Sequence, residues 1–538
     1  MFVKLLFSIL IFFVPLSFAA TEPWAFFIFQ FITSFIFVYL LFKEKKFKFT
    51  LPAVLINIVF IFLIFVAVIQ IMNHHTIIQK GNILPFTVSP FNTLKELNAI
   101  FVYFMFFIVV NQIFYKSDKI KKLLYLITFS SAFVMFIGLC FPSGEYIKFF
   151  LGTESLGNFG PFTNRNNAGI FLSMSFFITL SLVIYNFYKY PKYLMKNQKG
   201  KYITVQTVNI TISLMFFISV ILSRSRGAML STAVSLIIFL FLCTYHFSET
   251  IKQKLFKLFI LFLIMLPIGF FIYKNINDIN VYSQRTTGKS EQIRLKLYKM
   301  SFNVLEDYPF TGIGFASFPI ITDKYLEEDL NAYPEYLHSD WLELLLDVGY
   351  PIYTIFLFLV SAIILLLIKR IKFLSNQKKF LFIGLFSACC SVCTGSFVDF
   401  HLHIPAIAMI FVICLALLSS LSFYKDKKSI DYKNNLSSNL VLCSVILFLL
   451  FFSFKTVMAW KYYTFSKNMS KEQEIEYLNK AVKLSNNPRY IENYIITIYN
   501  DSLEKEEYDE NLRLLVYRYI KQYPYNEKIS KIFIKIND

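Results

Sequence analysis

An all-α, polytopic membrane protein with about thirteen transmembrane helices is the fold class this sequence predicts, and three observations predict it. Of 538 residues, 56% are hydrophobic and 16% charged, with a mean hydropathy of +0.57, too apolar for a chain that must cover itself with polar groups in water. Apolar runs of about 18 to 23 residues recur along most of the chain, each long enough to cross the bilayer hydrocarbon as a helix. Lysines gather in short clusters after every second run, as the positive-inside rule requires of cytoplasmic loops. The clusters begin at Lys43, Lys116, Lys189, Lys252, Lys369 and Lys425. They account for the net charge of +19 without invoking nucleic acid, and no closed barrel of alternating strands is visible.

In chain order the predicted spans are 3–20, 24–42, 51–71, 98–115, 123–141, 168–188, 204–222, 227–244, 255–273, 350–368, 380–397, 404–423 and 438–457. The first, MFVKLLFSILIFFVPLSFAA, resembles a secretory signal but is taken as a retained span, because retention keeps the lysine alternation in phase. An odd number of spans puts the N-terminus inside and the C-terminus outside. The outer side then receives the 72–97 and 142–167 loops, the turn at Ser223–Gly227, the long 274–349 loop, a short turn near His401 and the tail. From about Ala459 onward the chain is rich in Tyr, Lys, Glu and Asn and reads as amphipathic helices broken near Pro488 and Pro524. These breaks lie about 36 residues apart, close to a helical-hairpin repeat period, so a tetratricopeptide-like (TPR-like) tail and an irregular helical cap are both open. Four regions follow: helices in 1–150, a polar-looped membrane region in 151–425, a last span in 426–458 and a soluble tail in 459–538.

The polar candidates gather on the outer side. Arg224 and Arg226 stand in the turn SRSRG between two apolar runs, where outer-face arginine is disfavoured and two guanidiniums suit a diphosphate. In the 274–349 loop, Arg285 and Arg294 precede a T-G-I-G turn at Gly312 and Gly314 that lacks the rest of a nucleotide fingerprint. His338 opens a helical pattern with Asp340, Trp341, Glu343 and Asp347 behind it. An imidazole can take a proton near neutral pH and a carboxylate can orient it, although a capping or loop histidine is the plainer reading of the segment alone. The loop GNFGPFTNRNNAG carries Arg165 among Asn164, Asn166 and Asn167, amides that cap a helix or meet sugar hydroxyls or phosphate. Asp399, His401 and His403 lie at the outer end of a span, where ionisable groups are costly and therefore functional candidates. No His or carboxylate cluster has metal-ligand spacing. The seven cysteines fall in apolar stretches, Cys390-x-x-Cys393 included, and imply no disulfide framework.

In this order the segments resemble the O-antigen ligase and O-antigen polymerase family, which includes bacterial protein O-oligosaccharyltransferases. FGPFTNRNNAG is similar to the family's amide-rich loop, SRSRGAMLS to its arginine turn, Arg294 with YPFTGIGFASF to its loop helix and glycine turn, HSDWLELLLDVG to its histidine motif, and VDFHLHIPA to its Asp and Pro motif. The resemblance covers roughly residues 155–420. It implies a GT-C-like, inverting, metal-independent glycosyltransferase with no cofactor, in the bacterial inner membrane with a periplasmic site. The donor would be glycan on undecaprenyl diphosphate; the acceptor would be lipid A core for a ligase, another lipid-linked repeat for a polymerase, or a protein. It gives His338 the role of base, Arg226 and Arg294 with Arg224 the leaving diphosphate, and Asp340 the orientation of His338. Asn164, Asn167, Arg165 and Asp399 support the site. Two other classes compete, a polysaccharide transporter or flippase and a scaffold built on the tail, but a transporter usually keeps its polar groups near the midplane.

Overall fold

A computed structural model of the chain describes residues 2–74, 84–141, 146, 158–187, 199–247, 287–325, 334–421, 430–505, 510–524 and 526–537. The expected span at 255–273 and Arg285 lie outside the described residues.

Helices dominate because the apolar runs leave no backbone group unpaired only when coiled. They are α1 (Phe2–Leu16), α2 (Pro23–Lys43), α3 (Leu51–Met72), α4 (Pro90–Ile113), α5 (Ser117–Cys140), α6 (Arg165–Phe187), α7 (Lys199–Leu222) and α8 (Arg226–Phe247). Then come α9 (Thr287–Asp307), α10 (Phe318–Tyr325), α11 (Asp340–Ile371), α12 (Asn376–Gly395), α13 (Pro405–Leu421) and α14 (Leu436–Ser466). The tail holds α15 (Lys471–Leu484), α16 (Pro488–Lys505), α17 (Glu510–Gln522) and α18 (Glu527–Asn537). Ten of these, α2 to α8, α11, α12 and α14, are long and apolar enough to cross a membrane, while α1 and α13 are shorter apolar helices. The outward faces of α3, α11 and α14 carry Phe65, Phe358, Leu447 and Phe451, each more than half exposed, as a lipid-facing surface demands.

Three boundaries differ from expectation for local reasons. The first helix stops at Leu16 rather than residue 20, because Phe18, Ala19 and Ala20 all turn left-handed (φ 54°, 57° and 56°) before Pro23 opens the next. The helix of the histidine motif begins at Asp340 and breaks at Gly349 (φ 74°), just ahead of Pro351, before continuing to Ile371. The last span runs unbroken to Ser466, so no linker separates membrane and tail at residue 459. Ala459 and Tyr463 at its end pack with Leu478, Ala481 and Tyr490 of α15 and α16. Both prolines in the tail lie at helix junctions, Pro488 as the first residue of α16 and Pro524 between α17 and α18.

One feature departs from the all-helical expectation: β1 (Lys46–Phe49) pairs antiparallel with β2 (Ile430–Lys433) in the register Lys46↔Lys433, and Lys46 pairs with Asp431. The described strands that follow α2 and α13 therefore lie side by side.

Packing centres on α6, the most enclosed of the spans, which lies against α5, α7, α8, α12 and α13. Small residues let the backbones approach, and hydroxyls pair across the seams. Ser173 on α6 is 2.7 Å from both Ser391 on α12 and Thr232 on α8, and Ser175 donates to Ser131 on α5 at 2.8 Å. Outside the apolar spans, Leu297, Met300, Val304, Ile313 and Phe318 bury with Phe86, Leu337 and Leu346, which seats α9 and α10 over one end of the helices.

Candidate functional site

The site forms where the starts of α6, α8, α11 and α13 meet the ends of α7 and α12. At the other ends of two of these spans stand lysines of a sequence cluster, as Lys369 and Arg370 close α11 and Lys378 and Lys379 open α12.

Its floor is the glycine turn. The N–H groups of Ile313 and Gly314 donate to the carbonyls of Leu346 and Asp347 at 3.0 Å, which wedges the turn against α11 beside its break. Gly312 and Gly314 have φ of 64° and 97°, and a Cβ on either would meet backbone or Thr87 at about 2.5 Å, so the wedge admits only glycine. Above it, Ser339 caps α11 by accepting from Leu342 N–H at 3.3 Å. His338 precedes the cap in a left-handed conformation (φ 59°), a strained backbone for a non-glycine residue. The hydroxyl of Tyr298 donates to its carbonyl at 2.8 Å. Tyr298 stands one helical turn after Arg294 on α9, so one face of that helix serves both contacts.

His338 Nδ1 lies 3.0 Å from Asp399 Oδ1. The other carboxylate oxygen, Oδ2, accepts from Asn166 Nδ2 at 2.6 Å and lies 3.4 Å from Arg294 Nη2. The Asp399 side chain is 3% exposed, whereas His338 and Arg294 keep 31% and 26% of theirs open. Burial alone would raise the Asp399 carboxyl, but the His338 hydrogen bond and the charges of His401 and Arg294 outweigh it and hold the group at about 2. The carboxylate therefore stays ionised and can fix His338 in the Nδ1–H tautomer, leaving Nε2 as the basic nitrogen. Arg294 Nε is buried with no partner among the described residues.

The other expected residues take neighbouring places. Asp340, expected to orient His338, contacts His403 instead: its Oδ1 is 2.9 Å from His403 Nδ1, and its Oδ2 accepts from Ser396 Oγ at 2.5 Å and Leu402 N–H at 3.0 Å. The left-handed turn at His338 directs its ring away from the helix that Asp340 begins, towards Asp399. In the amide loop, Asn164 accepts from Asn166 N–H at 2.8 Å at the start of α6, and Asn167 lies 2.7 Å from His401 Nδ1. Asn166, between them, is the amide on the central carboxylate. The Arg224 turn (φ 54°) packs on α6 where Gly169 faces Ser223 and Ala228, and Gly227 faces Val398 next to Asp399. The positive charges of Arg224 and Arg226 act on Arg165, so three cations crowd the same helix starts. Among the described residues, no group of three or more His, Cys, Asp or Glu is arranged to hold a metal ion.

Sequence reading singled out His338, Arg294 and Asp399 but not their joint contact, and it missed Tyr298 and Ser396. Tyr298 had a usable signal in its i+4 spacing from Arg294; Ser396 had none beyond its proximity to Asp399.

Residues 211–357 match the family model described as O-antigen ligase. That stretch takes in Arg224, Arg226, Arg294 and His338, while Asn166 and Asp399 fall to either side of it. No curated protein matches the chain.

Proposed function

We propose, for a chain whose O-antigen ligase domain puts it in the O-antigen ligase and polymerase family, that it transfers glycan from undecaprenyl diphosphate to lipid A core at the periplasmic face of the inner membrane. The observation that carries this reading is the His338–Asp399 pair with Arg294 on the second carboxylate oxygen. It sets a base and a cation on one buried anion, at the end of α11 and α12 remote from Lys369, Lys378 and Lys379.

In the reaction, Asp399 accepts from His338 Nδ1–H and His338 Nε2 takes the proton of the acceptor hydroxyl. The acceptor oxygen bonds to the anomeric carbon as the bond from that carbon to the lipid diphosphate breaks on the opposite face, inverting the configuration. The electron pair leaves on the diphosphate. Arg294, whose Nε lacks a partner among the described residues, and Arg226 and Arg224 stabilise that charge. The positive ends of α6 and α8, which open on Arg165 and Arg226, add to the field.

Lysine alternation supports a cytoplasmic N-terminus and about thirteen spans, hence a periplasmic tail. On this reading the membrane part is GT-C-like and the tail is a TPR-like helical array that holds an acceptor or partner protein. Purified protein with undecaprenyl-diphosphate glycan and three acceptors (lipid A core, a second lipid-linked repeat, a pilin-like protein) tests the reading. Product on lipid A core is expected and His338→Ala should abolish it. Product only on a second repeat would make the enzyme a polymerase and product only on the pilin an oligosaccharyltransferase. No product with any acceptor would overturn glycan transfer.

A further inference from the structure

Beside the His338–Asp399 pair lies a second histidine that the reaction above does not use. His403 Nδ1 is 2.9 Å from Asp340 Oδ1 and its Nε2 is 3.7 Å from Glu343 Oε1. Its ring centroid lies 4.8 Å from that of Tyr336, which stacks in turn on Phe400. Each carboxylate also grips a segment of the site. Glu343 Oε2 accepts from the N–H of Leu337, the residue before His338, at 3.0 Å. Asp340 Oδ2 accepts from Ser396 Oγ and Leu402 N–H, which bracket Asp399, and the Asp340 N–H donates to the Asp399 carbonyl at 3.3 Å.

We propose that His403 is a positioning residue for glycan transfer: a part-buried ring joining Asp340 to Glu343, it locks the segment that carries His338 to the segment that carries Asp399. The proposal rests on the glycan-transfer reading for its activity readout only. Asp340 and Glu343 are 8% and 1% exposed, so each buried carboxyl needs a partner within the protein, and His403 supplies one to both. Glu96, on α4, adds negative charge around the same imidazole, Asp347, also on α11, is the other carboxyl that interacts with it, and the Tyr336 ring lies over it. Burial would lower the His403 pKa, but Glu343, the Asp340 hydrogen bond and Glu96 outweigh it and hold the group at about 10, so the cation persists through neutral pH. His403 touches neither His338 nor a reacting atom, and its effect runs through the two segments it ties.

The test uses the full chain in lipid nanodiscs, with His403→Gln, Glu343→Gln and the double variant. His403→Gln should lower kcat about 10- to 100-fold, the scale of a misplaced catalytic pair, with the donor KM within about twofold. The double variant should recover most of the loss. Hydrogen exchange should quicken in peptides 334–345 and 396–404 of His403→Gln and slow again in the double variant. Wild-type kcat with wild-type exchange, a KM rise alone, or a deficit uncured by Glu343→Gln would each overturn the clamp. If His403→Gln fails to reach the membrane, recovery of the double variant in wild-type yield supports the clamp and equal failure of both overturns it. Should the wild type transfer no glycan, the functional reading falls, and the exchange comparison still judges the clamp.

Discussion

In the proposed transfer the chemistry at His338 turns on which ring nitrogen holds the proton, and Asp399, 3.0 Å from Nδ1, favours the Nδ1–H form. Asp399→Asn keeps the shape but offers an amide that can donate as well as accept, so the imidazole can turn or adopt the wrong tautomer. The expected result is a kcat lowered about 10²- to 10⁴-fold with little change in donor KM, measured by single-turnover transfer. The same carboxylate links stability to acid. Its folded pKa of about 2 lies below the ordinary 3.8, so its contribution is fully present above pH 3.8 and is lost as the pH falls towards 2. That difference is on the order of 2 kcal/mol. Thermal unfolding in detergent should therefore weaken more steeply for wild type than for Asp399→Asn between pH 4 and pH 2, and parallel curves would remove Asp399 from the account. Arg294 makes a separate prediction, because its orphaned Nε belongs to a fork that lysine cannot supply. Arg294→Lys should keep the charge near Asp399 yet lose about tenfold or more in kcat/KM for the diphosphate donor.

Among the elements, the glycine turn decides where α11 begins and hence where His338 stands. Gly312→Ala would press a Cβ within 2.5 Å of the Asp347 backbone at a φ of 64°. A cost of roughly 1–3 kcal/mol follows from the left-handed backbone and the clash together. A lowered Tm accompanied by lost transfer is expected. Gly200→Ala, on α7 with nothing within 4 Å of the added methyl, should leave both unchanged or raise Tm slightly. A neutral Gly312→Ala would mean that the wedge does not set the histidine. This division also shows how far the sequence was legible. The glycines, the histidine and the arginines announced themselves through short-range pattern, since each needs its own local chemistry. Their pairing did not. His338 and Asp399 are 61 residues apart, and the packing of α11 against the end of α12 brings them together, which no local spacing encodes. Three asparagines lie within four residues of the amide loop, and only the start of α6 at Arg165 determines that Asn164 caps while Asn166 reaches Asp399.

For the whole molecule, the proposed orientation sets the lysine pattern and the arginine cluster on opposite faces, and the β1–β2 pair joins the strands that follow α2 and α13. A single reactive cysteine placed at Lys379 should label with a membrane-impermeant maleimide only after permeabilisation, and one at Glu472 in the tail should label in intact cells. The reverse pattern would turn the site to the cytoplasm. The tail was legible as helices, but its union with the last span was not, because apolar and amphipathic stretches join within one helix that ends at Ser466. A cut at residue 459 would sever that helix and expose the apolar cluster around Tyr463, so the informative deletion is 467–538. The tail leans on the site's surroundings through Arg489, which pairs with Glu335, and through Ile320 of α10, which packs on the Ile495–Tyr519 core. Exposed ion pairs such as the first contribute at most about 1 kcal/mol, so its loss should not unseat His338. The deletion is therefore expected to keep transfer to a short acceptor within about threefold of wild type, and to lose about tenfold or more with a full-length acceptor that the helices would hold. Equal losses on both acceptors would show that the tail supports the site's structure, and no loss on either would show that its helices serve a partner other than the acceptor.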